Sequence, residues 1–464
     1  MYKSKRDIGS ASDTSHFNAN RRISMPLLRT SISGVNQQEL KEKDLIKNLP
    51  GQPPVSFKQY GGYVAINESA GPFFYYYFVE AIRANNSSPL VVWFNGGPSC
   101  SSLQGAFLEH GPFRVHSDGK TLYRNPYSWN DETNVLYIES PAGVGFSYMN
   151  NSSALENIGD KKTAENNYMF LVKWLERFSE YKGRDVYIAG QSYAGHYCPQ
   201  LAQLILHNKN QTLINLRGVL IGNPGLDSND EIYGEYEYLF NHALISPKQW
   251  DNYNKLCING EDSGGTECFK SQWSITEQTS HINLYNIYAP ICLNSTLTSK
   301  PKEYTTVKNF DPCSPEYLTA YLNLANVQKA MHANTTKLPY AWTKCNYEQN
   351  DLWSNNDRDA SMIPILEELT GSGVRVWVYS GDMDAAVPHT STMHVLRKMN
   401  LTIEKIWRPW FSEGEVGGYT EEYKNKFTYA TVRGAGHMVP SDQPIRALTL
   451  FTSFIRNMPL PGTL

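Results

Sequence analysis

The sequence predicts an α/β fold in which a mixed, mostly parallel central β-sheet carries helices on both faces and a long insertion. Apolar strand-like runs alternate with amphipathic helical segments in residues 37–222 and again in residues 354–464, a pattern typical of parallel βαβ units. Residues 223–353 interrupt this alternation, because they are polar and irregular and contain five of the seven cysteines. We therefore expect two segments of one core, 37–222 and 354–464, with an insertion over the sheet at 223–353.

The N-terminal part of the chain predicts a polar lead followed by a small antiparallel unit. Residues 1–36 are rich in Ser, Asn, Lys and Arg and have no apolar segment, which is typical of a disordered lead and not of a secretory signal. A short charged helix is expected at residues 37–44. The aromatic runs Tyr60–Ile66 and Pro72–Phe78 then predict two strands joined by a turn.

Later apolar runs predict the strands of the central sheet. These runs are Pro89–Phe94, Asn134–Glu139, the run that begins at Asp185, Leu216–Gly222, Val374–Tyr379 and Phe427–Val432. Helices are predicted at Lys161–Tyr181 and Pro444–Met458, where apolar residues recur at the spacing of a core-facing stripe. The strand Pro89–Phe94 stops abruptly at Asn95–Pro98. Ligands of parallel sheets bind at such carboxyl ends of strands.

The segment Asp185–Tyr197 combines a buried strand, a sharp turn at Ser192 and the start of a helix. Gly190 and Ala194 stand two residues to either side of Ser192, as in the nucleophile elbow G-x-S-x-G, whose last position is here Ala. Such an elbow lifts a serine hydroxyl out of the hydrogen-bond ladder and aims it at a substrate. The pentapeptide alone is equally compatible with a glycine-rich turn and an ordinary surface serine.

A serine nucleophile needs an imidazole to take its proton and a carboxylate to orient that imidazole. Asp384 follows one late strand and His437 follows the next. The chain order Ser, Asp, His is that of the α/β-hydrolase fold, so we predict a triad of Ser192, Asp384 as orienting carboxylate and His437 as general base. Asp384 alone is compatible with a turn cap, and His437 alone is one of 11 histidines, but three such residues behind predicted strands favour the triad.

An oxyanion hole requires two convergent backbone N–H groups. The loop Asn95–Pro98 places glycines where the chain must pass close to a substrate, and the residue after the nucleophile supplies a second amide. We predict the N–H groups of Gly97 and Tyr193 as this pair. The alternative for the loop is a plain Gly-Pro turn.

The composition argues against several other classes of function. The net charge is −3 and no Lys/Arg-rich stripe occurs, so nucleic acid is not an expected partner. No apolar run reaches the length of about 18 residues that a membrane span needs. Neither Cys-x-x-Cys nor His-Glu-x-x-His spacing occurs, so we expect no metal site and no cofactor.

Five motifs together resemble the serine carboxypeptidase family, and its plant-type members above all. They are Trp93–Ser102, Glu139–Tyr148, Gly190–Tyr197, Gly381–Pro388 and Gly434–Pro440. The resemblance covers nearly everything after about Lys41, and it implies an acyl-enzyme on Ser192 and a lid. It also implies that the terminal carboxylate of a peptide is bound by Asn95, Gly96, Glu109 and Gln191.

Two positions depart from the family's pattern. Gln191 stands where the elbow usually has Glu, and Ser99 stands where a glycine precedes the motif cysteine. In the family a protonated carboxylic acid at the elbow donates a hydrogen bond to the substrate carboxylate, which explains a preference for acid. Gln191 donates through its NH₂ group at any pH. The sequence therefore predicts either a peptidase whose KM rises less at neutral pH than that of a relative with Glu at this position, or a relaxed recognition of peptides.

Three functions remain open at this point. The first is a carboxypeptidase that releases C-terminal residues from peptides. The second is an acyltransferase that takes an acyl group from a glucose ester, although the elbow residue of such family members tends to be Asp. The third is a catalytically idle, glycosylated binding protein on the same fold, against which the intact triad argues. The expected partner is a peptide or acyl-ester substrate, and a homodimer is compatible with the sequence.

Cysteines and sequons favour the secretory route. The resemblance implies the disulfides Cys100–Cys345, Cys257–Cys268 and Cys292–Cys313, which need an oxidising compartment, and leaves Cys198 as a small buried hydrophobe. Sequons for N-glycosylation occur at Asn67, Asn85, Asn86, Asn150, Asn151, Asn210, Asn294, Asn334 and Asn400. We therefore predict a secreted or vacuolar glycoprotein, although no signal peptide is visible.

Overall fold

The computed structural model describes residues 36–67, 71–83, 87–150, 158–210, 212–258, 265–300 and 311–463. The predicted lead at 1–36 lies outside these residues except for Asn36, whose side chain caps the first helix by accepting from the Gln38 N–H. The sequon asparagines Asn85, Asn86 and Asn151 also lie outside them.

One large sheet organises the described chain. The strands are β1 (Leu45–Ile46), β2 (Gln59–Ala65), β3 (Phe73–Val79), β4 (Leu90–Asn95), β5 (Phe113–Val115), β6 (Leu122–Arg124), β7 (Asn134–Ile138), β8 (Asp185–Gln191), β9 (Asn215–Gly222), β10 (Arg375–Gly381), β11 (Ile403–Ser412), β12 (Glu415–Tyr423) and β13 (Phe427–Val432). Eleven of them form the sheet in the order β1-β2-β3-β7-β4-β8-β9-β10-β13-β12-β11, and β5 pairs with β6. The six central strands, in the sheet order β7-β4-β8-β9-β10-β13, run parallel. Antiparallel strands flank them on both sides.

Helices pack on both faces of this sheet. They are α1 (Gln37–Asp44), α2 (Asp160–Arg177), α3 (Ala194–His207), α4 (Ser228–Asn241), α5 (Pro247–Tyr253), α6 (Thr266–Thr279), α7 (Ser314–Leu322), α8 (Ala325–Ala330), α9 (Tyr347–Asp351), α10 (Asn355–Arg358), α11 (Ile363–Gly371), α12 (His389–Met399), α13 (Val439–Asp442) and α14 (Pro444–Ile455). None of these described helices has both the length and the apolar character that a membrane crossing requires.

Two hydrophobic cores lie on the two faces, because successive side chains of a strand point in opposite directions. In β4, Val92 and Phe94 pack with α2, α3 and α11, whereas Val91 and Trp93 pack with α7 and α14. The sheet order and these two layers confirm the predicted α/β-hydrolase architecture.

The lid insertion is less separate from the core than its sequence indicates. Residues of α4, α5 and α6 form a small core of their own around Tyr236, Tyr253 and Ile275. In contrast, Tyr317 and Trp342 are buried in the core that contains Val91 and Trp93 of β4. The insertion therefore contributes packing to one face of the sheet, and the domain bounds at 223 and 353 stay a prediction.

Some elements differ from the predicted ones. The predicted helix to Tyr181 ends at Arg177 and is followed by a short 3₁₀ turn, Ser179–Tyr181, and the last helix ends at Ile455 and not at Met458. The hairpin of β11 and β12 at the sheet edge was not predicted, since β11 is mostly exposed, carries the charged residues Glu404, Lys405 and Arg408, and contains Pro409.

Candidate active site

The three predicted triad residues follow parallel strands that lie close together in the sheet. Ser192 directly follows β8, Asp384 follows β10, and His437 follows β13, in the local strand order β8-β9-β10-β13. Since the carboxyl ends of parallel strands meet at one edge, the topology brings all three residues to the same edge.

The backbone at Ser192 forms a strained elbow. Ser192 has a φ of 62°, a left-handed conformation that is uncommon for residues other than glycine and that recurs at active sites. The turn is fixed because the Ser192 N–H donates to the Gly222 carbonyl (3.0 Å) and the Ser192 carbonyl accepts from the Gly195 N–H (2.8 Å). A Cβ atom on Gly195 would lie 2.1 Å from the Gly225 carbonyl oxygen, so the elbow requires glycine there.

A buried carboxylate orients the imidazole of His437. The Nδ1 of His437 lies 2.6 Å from Oδ2 of Asp384, and both residues are buried. Asp384 also accepts from the Asn223 Nδ2 (2.8 Å) and the Ala386 N–H (2.9 Å). Because Nδ1 is occupied by Asp384, Nε2 is the nitrogen left to accept a proton.

Burial disfavours the imidazolium of His437, but the neighbouring carboxylates outweigh it. The attraction and hydrogen bond of Asp384, with smaller contributions from Glu109 and Asp442, raise the pKa of His437 above its ordinary value. The site is therefore built to stabilise a protonated imidazole, as a general base requires after it has taken a proton.

The hydroxyl of Ser192 makes no hydrogen bond to another group in the described part of the chain. Catalytic hydrogen bonds of free enzymes often form only in the complex with substrate.

The loop after β4 packs directly on the start of α3. A Cβ atom on Gly96 would lie 2.3 Å from the backbone nitrogen of Tyr193, and Gly97 has a φ of 116°. Within the described residues, the N–H groups of Gly97 and Tyr193 donate to no other protein group, so both are free for a ligand. The disulfide between Cys100 and Cys345 holds the far end of this loop.

Next to this loop lies a buried acid with two amide donors. Asn95 Nδ2 and Gln191 Nε2 each donate to Oε1 of Glu109 at 3.0 Å. Asn95 is itself fixed, because its Oδ1 accepts from Trp93 Nε1 (2.7 Å) and the Gly105 N–H (3.1 Å). Oε2 of Glu109 and Oε1 of Gln191 are buried and have no partner among the described residues.

The protonation state of Glu109 changes near neutral pH. Burial raises its pKa to about 7, although the hydrogen bond from Asn95 and the charges of His437 and Arg114 act in the opposite direction. Below this pH, Glu109 is neutral and its unpaired Oε2 can carry a proton toward a ligand. Above it, Oε2 is part of an anion and only accepts hydrogen bonds.

The structure adds residues that the sequence did not single out. Asn223 donates to Asp384, and its Oδ1 accepts from the Gly381 N–H (3.1 Å). The ring of Tyr285, from the lid insertion, lies 4.8 Å from the His437 ring. The backbone carbonyl of Tyr285 accepts from the backbone N–H of His437 (2.7 Å). Asp442 accepts from the Gly436 N–H (2.7 Å). The one available signal was the position of Asn223, which follows β9 at the edge where the triad lies.

A second buried acid, Glu139, joins the loop after β7 to the lid insertion. Its Oε2 accepts from the Phe146 N–H (2.7 Å), and its Oε1 accepts from Trp342 Nε1 (2.8 Å) and from the Ser101 hydroxyl. Burial raises the pKa of Glu139 to about 7. The side chain therefore links Trp342 of the insertion to Ser101 in the segment after β4.

We expect the folded protein to be most stable in mild acid. Burial raises the pKa values of Glu109 and Glu139 to about 7 and that of Asp442 to about 6. A raised acid pKa means that stability is fully present below the unfolded value of about 4 and is lost as pH rises through the folded value. Buried His110, whose pKa is lowered by burial, acts in the opposite direction but is outnumbered. The melting temperature should fall by a few degrees between about pH 5 and about pH 8, with a shallower fall in Glu139→Gln. A melting temperature that rises over this range contradicts the expectation.

Six cysteines form three disulfides in the structure. They are Cys100–Cys345, Cys257–Cys268 and Cys292–Cys313. Cys198 is free and buried in α3, and burial raises the pKa of its thiol. A thiol that is buried and protonated is unreactive, so Cys198 acts as a packing residue.

Most described sequon asparagines are accessible. Asn67, Asn150, Asn210, Asn294 and Asn400 are exposed. Asn334 is half-buried, and its Nδ2 donates to Gln328 Oε1 (3.0 Å). Glycosylation at these positions stays a prediction, and at Asn334 it would have to displace this hydrogen bond.

Comparisons with known proteins agree with this geometry. A family model described as serine carboxypeptidase matches residues 50–457. Serine carboxypeptidase-like 36 of Arabidopsis thaliana is 60% identical over 460 residues, which cover 99% of this chain and 93% of the relative. Serine carboxypeptidase 24 of the same plant is 43% identical over 456 residues, which cover 94% of this chain and 97% of the relative.

A solved structure has the same fold. Kex1(Δ)p, a prohormone-processing carboxypeptidase from Saccharomyces cerevisiae, aligns with a TM-score of 0.77 at 23% identity over 91% of this chain and 98% of the yeast chain. The family match, the identity with the plant relatives and the shared fold agree, and the chain belongs to the serine carboxypeptidase family.

Proposed function

We propose that the protein is a serine-type carboxypeptidase that releases C-terminal residues from peptides through an acyl-enzyme on Ser192. One observation supports this most directly. The elbow serine and the Asp384–His437 pair lie at the same sheet edge as a buried acid, Glu109, that is held by amide donors and keeps one oxygen unpaired. A nucleophile beside a group that can donate to a carboxylate suits a peptide C-terminus.

The chemistry follows from the positions of these groups. His437 Nε2 takes the Ser192 proton as the hydroxyl oxygen attacks the last peptide carbonyl, and the carbonyl oxygen becomes an oxyanion. The free N–H groups of Gly97 and Tyr193 receive that oxyanion. Asp384 stabilises the imidazolium, which then gives its proton to the leaving amine. Water attacks the acyl-enzyme by the same steps and regenerates Ser192.

Recognition of the free C-terminus is assigned to the Glu109 cluster. Neutral Glu109 donates from Oε2 to the substrate carboxylate, while its Oε1 keeps the two hydrogen bonds from Asn95 and Gln191. Glycine at position 96 lets the loop after β4 pack against the start of α3, because a Cβ atom there would lie 2.3 Å from the Tyr193 nitrogen; this packing keeps the loop beside the Glu109 cluster.

Gln191 supports a second candidate, an acyltransferase with the same triad. In the structure, Gln191 gives its NH₂ group to Glu109, and its Oε1 is a buried acceptor without a partner in the described chain. An acceptor suits a hydroxyl donor, such as that of a sugar ester, better than it suits a carboxylate. The choice of substrate separates the two candidates.

Three assays decide between the functions. A fluorophosphonate probe should label the wild-type protein and leave Ser192→Ala unlabelled, whereas an unlabelled wild type favours the idle binding protein. Release of a free amino acid from an N-blocked dipeptide identifies the carboxypeptidase. Transfer of an acyl group from a glucose ester to an alcohol, without dipeptide cleavage, identifies the acyltransferase.

Exchange of Gln191 for Glu should change the pH dependence of KM. Two adjacent carboxyl groups share one proton, so the first ionises at a lower pH than Glu109 does alone. We expect the KM of Gln191→Glu for a blocked dipeptide to rise at lower pH than the wild-type KM, when kcat/KM is measured from about pH 4 to about pH 8. Identical profiles for the two proteins contradict this expectation.

We also propose that the protein is secreted or vacuolar. The three disulfides fit an oxidising compartment, and the accessible sequons fit passage through the secretory route. A homodimer stays a prediction, which sedimentation of the purified protein tests.

A further inference from the structure

A buried carboxylate outside the triad gathers four hydrogen-bond donors behind the elbow. Asp160, the first residue of α2, is 3% exposed. Its Oδ1 accepts from the Tyr193 hydroxyl (2.9 Å) and from Trp353 Nε1 (3.1 Å). Its Oδ2 accepts from His196 Nδ1 (2.7 Å) and from Gln200 Nε2 (2.9 Å). Each oxygen therefore has two donors, and the carboxylate is fully satisfied.

The donors come from two parts of the chain that this carboxylate holds together. Tyr193, His196 and Gln200 lie on one face at the start of α3, at the spacing i, i+3, i+7. Trp353 is the last residue of the predicted insertion at 223–353. Asp160 thus connects the elbow helix to α2 and to the segment where the chain returns to the core.

Aromatic rings enclose this cluster. The Tyr193 ring stacks on the His196 ring at 4.5 Å and meets the Trp353 ring edge-on at 5.9 Å. Burial, followed by the charge of Asp160, raises the pKa of Tyr193, so its hydroxyl stays protonated and donates. Hydrogen bonds in such a dry environment are stronger than those exposed to water.

The position of Tyr193 matters because its backbone N–H is one of the two proposed oxyanion donors. The Gly96 backbone lies so close to that nitrogen that a Cβ atom on Gly96 would approach it to 2.3 Å. A donor of an oxyanion hole must lie within hydrogen-bond distance of the developing charge, and a displacement of about 1 Å at such a site can cost about 100-fold in rate. A hydrogen bond that fixes the Tyr193 side chain therefore also restrains the direction of its N–H group.

We propose that Asp160 is a positioning residue for the oxyanion hole, acting through the hydroxyl of Tyr193. This inference rests on the proposed acyl-enzyme chemistry, but it does not depend on whether the acyl donor is a peptide or an ester. Asp160 touches no reacting atom. Its effect is expected on transition-state binding and not on substrate affinity.

Tyr193→Phe tests the inference because it deletes the hydrogen bond and keeps the ring. We expect kcat to fall about tenfold, a part of the loss that follows complete removal of an oxyanion donor, with KM changed less than about twofold. The affinity for a peptidyl boronic acid, whose adduct with Ser192 places an oxygen in the hole, should fall by the same factor. Asp160→Asn should have a similar effect, since it weakens all four hydrogen bonds.

Tyr187→Phe is the matched control. Its hydroxyl also donates to a protein group, the Ile455 carbonyl at 3.2 Å, but at the opposite end of β8. This variant should keep the wild-type kcat and boronate affinity. Circular dichroism melts of all variants show whether a loss of activity comes from the elbow or from general unfolding.

Unchanged kcat and unchanged boronate affinity in Tyr193→Phe overturn the inference. A fall in kcat that comes with a lower melting temperature and unchanged boronate affinity also overturns it, because the role is then structural. If Asp160→Asn fails to fold, Tyr193→Phe alone decides. A wild-type protein that cleaves no peptide but binds the boronate refutes only the peptidase proposal, whereas one that binds neither boronate nor fluorophosphonate refutes both.

Discussion

Asp384→Asn should lower kcat by about four orders of magnitude while the protein stays folded. Loss of the carboxylate leaves His437 in the wrong tautomer and removes the stabilisation of its imidazolium, and such a change in a serine triad costs about 10⁴ in kcat. The structure makes the loss specific, because Oδ2 of Asp384 accepts from His437 at 2.6 Å and from Asn223 at 2.8 Å. An asparagine there places an amide against at least one of these donors. Steady-state hydrolysis of a blocked dipeptide measures the effect.

Asp382→Asn is the control for this prediction. Asp382 lies in the same loop, and its Oδ1 accepts from the Gly434 N–H (2.6 Å) in the loop that carries His437. Asparagine can keep this hydrogen bond through its own Oδ1. We expect kcat of Asp382→Asn within a few-fold of wild type. If both variants lose activity equally, the loop geometry and not the charge of Asp384 determines catalysis.

The fold was predictable because its strands are apolar and end in residues of a different kind. The run Pro89–Phe94 stops at Asn95 and the elbow strand stops at Ser192, so the polar residues at these breaks mark the functional edge of the sheet. The hairpin of β11 and β12 escaped prediction because β11 lies at the sheet edge, where exposure removes the apolar signal. Packing of Trp342 into the core that contains Val91 and Trp93 of β4 was equally invisible, since it depends on contacts far along the chain.

The residues of the candidate site also differ in whether the local sequence reveals them. Ser192, Asp384 and His437 carry local signals, because each follows a strand and stands beside glycine or in a fixed chain order. Asp160 carries none, because its partners lie 33, 36, 40 and 193 residues away in sequence. Gln191 shows a third case. Its identity was visible, but only the structure gives its NH₂ group to Glu109, so donation to a substrate at every pH does not follow from its chemistry alone.

This finding shifts the expected pH dependence from Gln191 to Glu109. Burial raises the pKa of Glu109 to about 7, so the neutral acid that we propose as the donor to a substrate carboxylate is lost as pH rises through that value. The KM for a blocked dipeptide should then rise about tenfold per pH unit above about 7, because the neutral fraction falls by that factor. The raised pKa of His437 sets the opposite limb, since kcat/KM falls as pH drops and the base becomes protonated. The profile of kcat/KM is expected to be bell-shaped.

Glu109→Gln should remove the alkaline limb and keep the acid one. Glutamine accepts from Asn95 and Gln191 through its Oε1 and donates from its NH₂ group without titrating, so KM should stay flat through about pH 8 while kcat changes little. Asp442→Asn is the matched control. Burial raises the pKa of Asp442 to about 6, so this variant removes another acid near His437 but leaves the hydrogen bonds of Glu109 in place. A peptide with a C-terminal amide gives the second control, because it has no carboxylate for ionised Glu109 to repel. If Glu109→Gln retains the wild-type rise in KM, the carboxylate of the substrate is bound elsewhere and Glu109 is a buried structural acid.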